Sequence, residues 1–195
     1  MTAVRAAIEF GLHRLFFAMR DRRYPPLDLV QAAGIVPGNR VVDFGCGSGS
    51  HVVPAAMLTG PKGHVYAVDA NPHAIRHVKR LVVDRGLTNV TVAQTERAVP
   101  LPPQTVDVVL LNDVLHALRD PQPVLCELQR VLKPEGHLVV SDHHLSRERL
   151  ERMLGAQSLF RFVTTEGTLH RFARRRSPGE ADGPDHEQEQ GNGRG

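Results

Sequence analysis

Short apolar segments alternate with helical patterns over residues 40–141, and this alternation limits the fold more than any other feature. The predicted strands comprise Val41–Phe44, Val65–Asp69, Val90–Ala93, Val106–Leu111 and His137–Ser141. Strands joined through helices form a parallel sheet, because each crossover helix covers one of its faces. The pattern therefore predicts an α/β fold with a mostly parallel sheet and helices on both faces.

Capping signals and apolar spacing place the helices between these strands. Asn71-Pro72 and Asp120-Pro121 each combine an N-cap residue with a proline in the first helical turn. The predicted helices cover residues 2–20, 27–33, 51–58, 72–84, 121–132 and 147–153. Lys133–Gly136 is predicted to be a turn.

The end of the chain departs from this rhythm. Leu159–Val163 and Leu169–Phe172 alternate with a period of two around a short loop that contains Gly167, which predicts an antiparallel hairpin. Residues 177–195 lack large apolar side chains and are expected to be disordered. We therefore divide the chain into an N-terminal helical cap segment (1–38), a ligand-binding domain (39–176) and this tail.

Composition limits the compartment and the partners of this chain of 195 residues. No apolar run reaches the roughly 18 residues that a membrane span needs, and the N-terminus lacks a secretory pattern. The two cysteines, Cys46 and Cys126, form no CxxC pair, so a reducing cytoplasmic setting is expected and Cys126 is assigned to the core. The net charge is +3, with an acidic tail and a basic body, which keeps an anionic partner such as nucleic acid open.

The segment Asp43-Phe44-Gly45-Cys46-Gly47-Ser48-Gly49 follows the first strand and precedes a helix. Glycines allow a tight turn and let a ligand approach bare main chain, and the following helix points its N–H groups toward that ligand. Asp69 ends the second strand, where an acid in a doubly wound sheet accepts hydrogen bonds from ribose hydroxyls. Together these residues predict a nucleoside site at the carboxyl edge of the sheet.

The spacing distinguishes between nucleoside ligands. The dinucleotide pattern G-x-G-x-x-G would need glycine at positions 45, 47 and 50, but position 50 is Ser50. A carboxylate at Asp43 would repel a pyrophosphate, whereas it suits the ammonium and sulfonium groups of S-adenosylmethionine. The loop therefore favours S-adenosylmethionine over NAD(P).

Four segments resemble class I S-adenosylmethionine-dependent methyltransferases, within the type 11 group related to quinone and sterol methyltransferases. They are VVDFGCGSGS, VYAVDANPHAI, VPLPPQTVDVVLLNDVLHAL and ELQRVLKPEGHLVVSD. The resemblance implies a Rossmann-like sheet of seven strands, whose last strand is reversed and inserted between strands five and six. It also implies S-adenosylmethionine as co-substrate.

The resemblance also implies roles for individual residues. The methionine moiety would lie against Asp43, Gly45, Cys46 and Gly47, in the loop that Gly49 completes. Asp69 would hold the ribose with Ala70 and Asn71 beside it, and Asn112 would lie near the methionine carboxylate or the methyl group. At the adenine end, Thr95 replaces the aspartate common in the family, and its hydroxyl, the Glu96 carboxylate or a backbone contact would substitute.

Methyl transfer needs alignment, and it needs a base only when the acceptor holds a proton. His116, one turn after Asn112, is the candidate base, with packing at the start of a helix as its alternative role. No metal site is expected. Only about a dozen residues separate strand five from the hairpin, so a lid would have to come from residues 1–38, where Phe10, Phe16, Phe17 and Tyr24 lie.

The predicted function is transfer of a methyl group to a small organic acceptor. Alternatives are an RNA or protein methyltransferase, an NAD(P)-dependent oxidoreductase and a non-catalytic S-adenosylmethionine-binding module. The short connections predict an open site, completed by a large acceptor or by the second subunit of a homodimer.

Overall fold

A computed structural model describes residues 11, 19, 21–22 and 25–175. Over residues 25–175 its α-helices are α1 (Pro26–Ala32), α2 (Val52–Thr59), α3 (Pro72–Asp84), α4 (Gln122–Val131) and α5 (Arg147–Gly155). Its strands are β1 (Arg40–Phe44), β2 (His64–Asp69), β3 (Val90–Gln94), β4 (Val106–Asn112), β5 (Leu132–Ser141), β6 (Phe160–Glu166) and β7 (Leu169–Arg174).

All seven strands form one sheet in the order β3-β2-β1-β4-β5-β7-β6. The neighbours from β3 to β5 are parallel, whereas β7 runs antiparallel to both β5 and β6. The predicted fold class, including the terminal hairpin and the inserted reversed strand, is confirmed. The order reverses between β1 and β4, and ligands of such sheets bind at this switch point.

Helices cover both faces of the sheet. On one face α1, α2 and α3 bury apolar side chains against β1, β2 and β4, with Val30, Val52 and Val78 among them. On the other face α4 and α5 pack against the sheet and the hairpin, through Leu128, Leu150 and Leu154. Since the central strands are buried on both sides, the sheet holds its carboxyl edge as a rigid platform.

The capping signals place the helix starts. The Asn71 side chain accepts a hydrogen bond from the His73 backbone N–H at 2.9 Å, and Pro72 is the first residue of α3. The Asp120 carboxylate accepts from the Gln122 N–H at 3.3 Å, so α4 begins just after Pro121. These N-terminal caps start α3 and α4 where the sequence predicts them.

Two local predictions are wrong. The turn expected at Lys133–Gly136 lies within β5: Val106 pairs with Leu132 and Val108 with His137, so residues 133–136 bulge from the strand. Cys126 is exposed rather than in the core. The apolar stripe of α4 runs through positions 124, 125, 128 and 131, which turns position 126 toward solvent.

Several predictions concern residues that the structure does not describe. Of the helix predicted over residues 2–20, Gly11 and Met19 are described, and both are helical. The aromatic side chains proposed for a lid and the acidic tail from position 177 lie outside the described residues. Among the described helices, none combines the length and apolarity that crossing a membrane would require.

Candidate functional site

The loop after β1 folds back onto the end of β2. The backbone N–H groups of Gly45 and Cys46 both donate to the Val68 carbonyl, at 2.8 and 3.0 Å. The φ angles of Gly45, Gly47 and Gly49 are +78°, +51° and +77°, in the left-handed region that favours glycine. The loop therefore needs its glycines for its backbone path.

Asp69 joins this loop to the start of α3. One carboxylate oxygen accepts the Gly47 backbone N–H at 2.8 Å, and the other accepts the Asn71 N–H at 2.7 Å. Each oxygen of a carboxylate has a further lone pair that ligand hydroxyls can use. Ala70 is exposed and Asp69 is half-buried, so this carboxylate both fixes the glycine loop and remains partly open to solvent.

Two of the loop glycines also make close contacts within the protein. A Cβ atom on Gly45 would overlap the Val114 side chain, which follows β4. A Cβ on Gly49 would lie 3.1 Å from the Val78 side chain and 3.0 Å from that of Leu81, both on α3. Gly49 is buried there, so it fits the loop onto α3, while Gly45 and Gly47 line the cleft.

Backbone and polar side chains line the cleft at the switch point. Its lining comprises Gly45, Cys46, Gly47, Ser48, Ser50, His51 and Asn112. The Asn112 amide nitrogen lies 3.4 Å from Nδ1 of His51, and its buried Oδ1 has no hydrogen-bond partner among the described residues. A buried acceptor at a cleft is satisfied by a ligand that brings a donor, such as an ammonium group.

Two carboxylates lie close to the cleft and act on its Cys46 thiol. Asp43 is 1% exposed at the end of β1, and Asp69 lies across the loop from it. Burial raises the pKa of the Cys46 thiol far above its usual value, with further contributions from the Asp43 and Asp69 charges, so this thiol stays neutral. Within the described part of the chain, no lysine or arginine lines the cleft. Such a site suits a cationic ligand and lacks the positive groups that hold a diphosphate.

A contact from the N-terminal segment is not evident in the sequence. The Ser50 hydroxyl donates to an Asp21 carboxylate oxygen at 2.5 Å, and the Ser48 hydroxyl lies 2.9 Å from that of Ser50. Because Ser50 uses its only proton toward Asp21, Ser48 must donate to Ser50. The one sequence feature related to this contact is that Ser50 stands where the dinucleotide pattern G-x-G-x-x-G has its last glycine.

Thr95 and Glu96 lie beside Asp69, at the same edge of the sheet. The Thr95 backbone N–H donates to the Asp69 carbonyl at 2.9 Å, and its hydroxyl accepts from the Arg97 N–H at 3.3 Å. Glu96 is exposed. The Thr95 hydroxyl thus stabilises its own turn and keeps its proton available to a ligand.

His116 lies outside the lining of the cleft, on the short 3₁₀ helix that follows β4. Its Nδ1 atom is 3.0 Å from a carboxylate oxygen of Asp142, just after β5. Nearby, Nδ1 of His143 is 2.9 Å from the Asp113 carboxylate. The structure therefore pairs residues after β4 with residues after β5, a relation that the sequence does not reveal.

A second cleft of about 730 Å³ is lined by residues 134–137 of β5 and by residues of the β6–β7 hairpin. His137 and the arginines at positions 161, 171, 174 and 175 contribute to its lining. None of the predicted cofactor-binding residues belongs to it. Of these two clefts, the glycine cleft is therefore the one that contains residues predicted to bind the cofactor.

Comparison with known proteins identifies the family. The model of a family described as a methyltransferase domain matches residues 35–174. The chain belongs to this methyltransferase family. The resemblance to class I S-adenosylmethionine-dependent methyltransferases of the quinone and sterol group is thereby confirmed.

Curated relatives of this methyltransferase domain include two whose names give a substrate. The ubiquinone/menaquinone biosynthesis C-methyltransferase UbiE of Teredinibacter turnerae is 32% identical over 132 residues, which are 67% of this chain and 49% of that protein. The arsenite methyltransferase of Halobacterium salinarum is 34% identical over 111 residues, 56% of this chain and 28% of that protein. The chain thus spans about half or less of the length of these relatives.

Among solved structures, a SAM-dependent methyltransferase from Aquifex aeolicus has a TM-score of 0.71 and 26% sequence identity to this methyltransferase domain. The alignment covers 79% of this chain and 91% of that one. The Rossmann-like methyltransferase fold predicted from the sequence is therefore confirmed.

Proposed function

We propose that this chain transfers a methyl group from S-adenosylmethionine to a small organic acceptor. The observation that carries the proposal is the glycine cleft at the switch point, which has the Asp69 carboxylate bonded to its Gly47 and no lysine or arginine in its described lining. S-adenosylmethionine brings an electrophilic methyl group on a positively charged sulfur. The chain's own task is then to bind it, exclude water and align the acceptor.

The proposed binding roles assign the methionine part of the ligand to one end of the cleft and the adenosine part to the other. Asp43, Gly45, Cys46 and Gly47 hold the methionine part, and the buried Oδ1 of Asn112 accepts from its ammonium group. Support for this comes from the acidic surroundings of Cys46 and from the absence of lysine and arginine in the described lining.

At the other end of the cleft, Asp69 holds the ribose with Ala70 and Asn71 beside it. Thr95 and Glu96 take the adenine end. Support for this assignment comes from the backbone bond that fixes Thr95 beside Asp69.

The N-terminal segment (residues 1–38) is proposed to cap this cleft. The bond from Ser50 to Asp21 supports the proposal, because it ties that segment to the rim of the glycine loop. The domain of residues 39–176 would then carry the binding chemistry, and the segment would restrict access to it.

Quinone-type compounds are the proposed acceptor class, by similarity to the relative named for ubiquinone and menaquinone biosynthesis. Arsenite is disfavoured, although an arsenite methyltransferase is also similar. Arsenite chemistry needs several thiolates, and of the two cysteines Cys46 is held neutral by burial while Cys126 lies exposed on α4.

A nucleic acid acceptor is the second candidate. The arginine-lined cleft on the hairpin favours it, because guanidinium groups bind phosphates. RNA retention that falls steeply with added salt, together with labelling of RNA, would support this candidate over a small acceptor.

Transfer of radiolabelled methyl from S-adenosylmethionine into a fractionated cell extract tests the proposal. We expect label in the small-molecule fraction, and none when S-adenosylhomocysteine is added in excess. Binding of S-adenosylmethionine with no labelled product would instead indicate a non-catalytic binding module. An acceptor labelled only in the protein fraction would contradict the small-molecule assignment.

A further inference from the structure

Two histidine–aspartate pairs connect the loops that follow β4 and β5. His116, from the first loop, pairs with Asp142 of the second, and Asp113 of the first pairs with His143 of the second. Both pairs lie at the carboxyl edge of the sheet, where the glycine cleft also opens. The two pairs differ in how tightly the carboxylate is held.

The Asp142 carboxylate is fixed from several directions. Its side chain is 0% exposed, and it accepts the backbone N–H groups of His116 at 3.1 Å and of His144 at 3.0 Å. The same carboxylate lies 3.0 and 3.1 Å from Nδ1 of His116. An acceptor held this firmly selects the imidazole tautomer that carries its proton on Nδ1.

With the proton on Nδ1, the lone pair of neutral His116 is on Nε2. The imidazole is 30% exposed, so one edge can meet a bound molecule. The His144 ring lies 4.1 Å from the His116 ring, centre to centre, and restricts its rotation. This is the arrangement of a general base whose orientation is set by a buried carboxylate.

The backbone connects this pair to the cofactor cleft. Asn112 lines the cleft, Val114 packs over Gly45, and His116 follows two residues later. The β4 loop thus runs from the glycine cleft to the histidine within four residues. His116 therefore lies outside the lining of the cleft but at the same edge of the sheet.

The second pair is more exposed to solvent than the first. The His143 side chain is 44% exposed, and its partner Asp113 is 14% exposed. Asp113 also has a φ angle of +50°, in the left-handed region that aspartate adopts more readily than most residues. Since it has the same chemistry in a more exposed setting, this pair is a matched control.

We infer that Asp142 positions His116 as the general base of this methyltransferase, and that the acceptor is a weak acid of the phenol or hydroquinone class. The inference rests on the proposed function, because a base is useful only where a methyl group is transferred. An acceptor that already carries a free lone pair would need no base.

The proposed step is balanced in atoms and charge. The hydroxyl proton of the acceptor moves to Nε2 of His116, and an electron pair of the acceptor forms the bond to the methyl carbon. The electron pair of the broken methyl–sulfur bond stays on sulfur, which loses its positive charge. The imidazolium of His116 then releases its proton to water.

Nitrogen NMR of the full chain with ¹⁵N-labelled histidine tests the positioning role without any acceptor. We expect His116 of the wild-type protein to carry its proton on Nδ1 at pH 8. In Asp142→Asn the side-chain amide can donate to Nδ1, so the proton should move to Nε2. A wild-type His116 with its proton on Nε2 would overturn the inference.

Methyl transfer to defined acceptors tests the base. Hydroquinone and 1,4-dihydroxynaphthalene represent the phenol class, and nicotinamide represents acceptors whose ring nitrogen holds no proton at pH 8. We expect His116→Gln and Asp142→Asn to lower kcat for the phenols by about 100-fold or more, with little change in KM. His143→Gln should stay within about threefold of the wild type.

The pH dependence of methyl transfer distinguishes a base from a residue that only supports the fold, because a purely structural His116 would not alter it. A general base acts only in its neutral form, so methylation of the phenols by the wild-type protein should slow toward acid pH. His116→Gln should lack this dependence. Failure to methylate either phenol, methylation of nicotinamide alone, or loss of activity in His143→Gln but not in His116→Gln would each contradict the inference.

Calorimetric titration with S-adenosylhomocysteine tests the proposed function separately from the roles of Asp142 and His116. All three variants should bind it within about twofold of the wild type, because none of the substituted residues lines the cleft. A wild-type protein that fails to bind it would refute the proposed function itself. Normal binding with the wrong tautomer would refute only the role of Asp142 and His116.

Discussion

Asp69 shows how one side chain serves both structure and binding. Its carboxylate accepts the backbone N–H groups of Gly47 and Asn71, which fixes the glycine loop and the start of α3 in one geometry. Gly47 lines the cleft, so this carboxylate lies directly beside it. A single acid can therefore make the site rigid before the ligand arrives, which lowers the entropic cost of binding.

At the residue scale, Gly45→Ala should be far more damaging than Gly86→Ala. Both positions have a positive φ, which costs an alanine about 1 kcal/mol or slightly more. A Cβ at Gly86 meets nothing within 4 Å, whereas at Gly45 it overlaps Val114 and adds an overpacking cost of about 1–3 kcal/mol. Urea unfolding measures both values, and equal losses of stability would show that Val114 does not constrain the loop.

The sequence predicts some of these residues because their spacing is local. The glycine loop and Asp69 each lie at the end of a recognisable strand, so parallel pairing brings them together at one edge. The bonds from Ser50 to Asp21 and from His116 to Asp142 join positions 29 and 26 residues apart. Nothing in the local pattern at either position indicates such a partner.

At the scale of elements, the strands were predictable and the irregularities were not. Apolar runs mark β1, β2 and β4, because a strand buried on both faces excludes polar side chains. Residues 133–136 have the composition of a turn, yet they bulge from within β5. The choice depends on pairing with β4, which is a tertiary effect.

The N-terminal segment is expected to contribute to ligand affinity through Asp21. Asp21→Ala removes the acceptor of the Ser50 hydroxyl, so it should weaken binding of S-adenosylhomocysteine by about 1 kcal/mol, or roughly fivefold. Asp28→Ala, on the exposed side of α1, is the control and should leave the affinity unchanged. If calorimetric titration gives the same affinity for Asp21→Ala and the wild type, the segment does not act as a cap.

For the whole molecule, the half-buried histidine His137 links stability to pH. Its Nε2 donates to the Ala33 carbonyl at 2.9 Å and so joins β5 to the end of α1. Burial lowers the pKa of His137 below its usual value of 6.5, with a further contribution from Arg171. The unfolded chain therefore takes up a proton at a higher pH than the folded protein does.

The free energy of unfolding should consequently decrease as the pH falls below about 6.5. Above that pH the histidine is neutral in both states and the stability it contributes is complete. Urea unfolding at pH 7.5 and 5.5 measures the difference, which should be smaller in His137→Gln. A variant with the same pH dependence as the wild type would assign the effect to other groups, such as His64 and His170, whose pKa values burial also lowers.

The central claim is that the cleft after β1 binds an adenosyl sulfonium compound through Asp69, and calorimetric titration tests it most directly. S-adenosylmethionine should bind the wild-type protein while NADH does not, and Asp69→Ala should weaken its binding by about 1.5–3 kcal/mol. Asp84→Ala, exposed at the end of α3, serves as the control for charge removal. Binding of NADH alone, or an unchanged affinity in a correctly folded Asp69→Ala variant, would contradict the account.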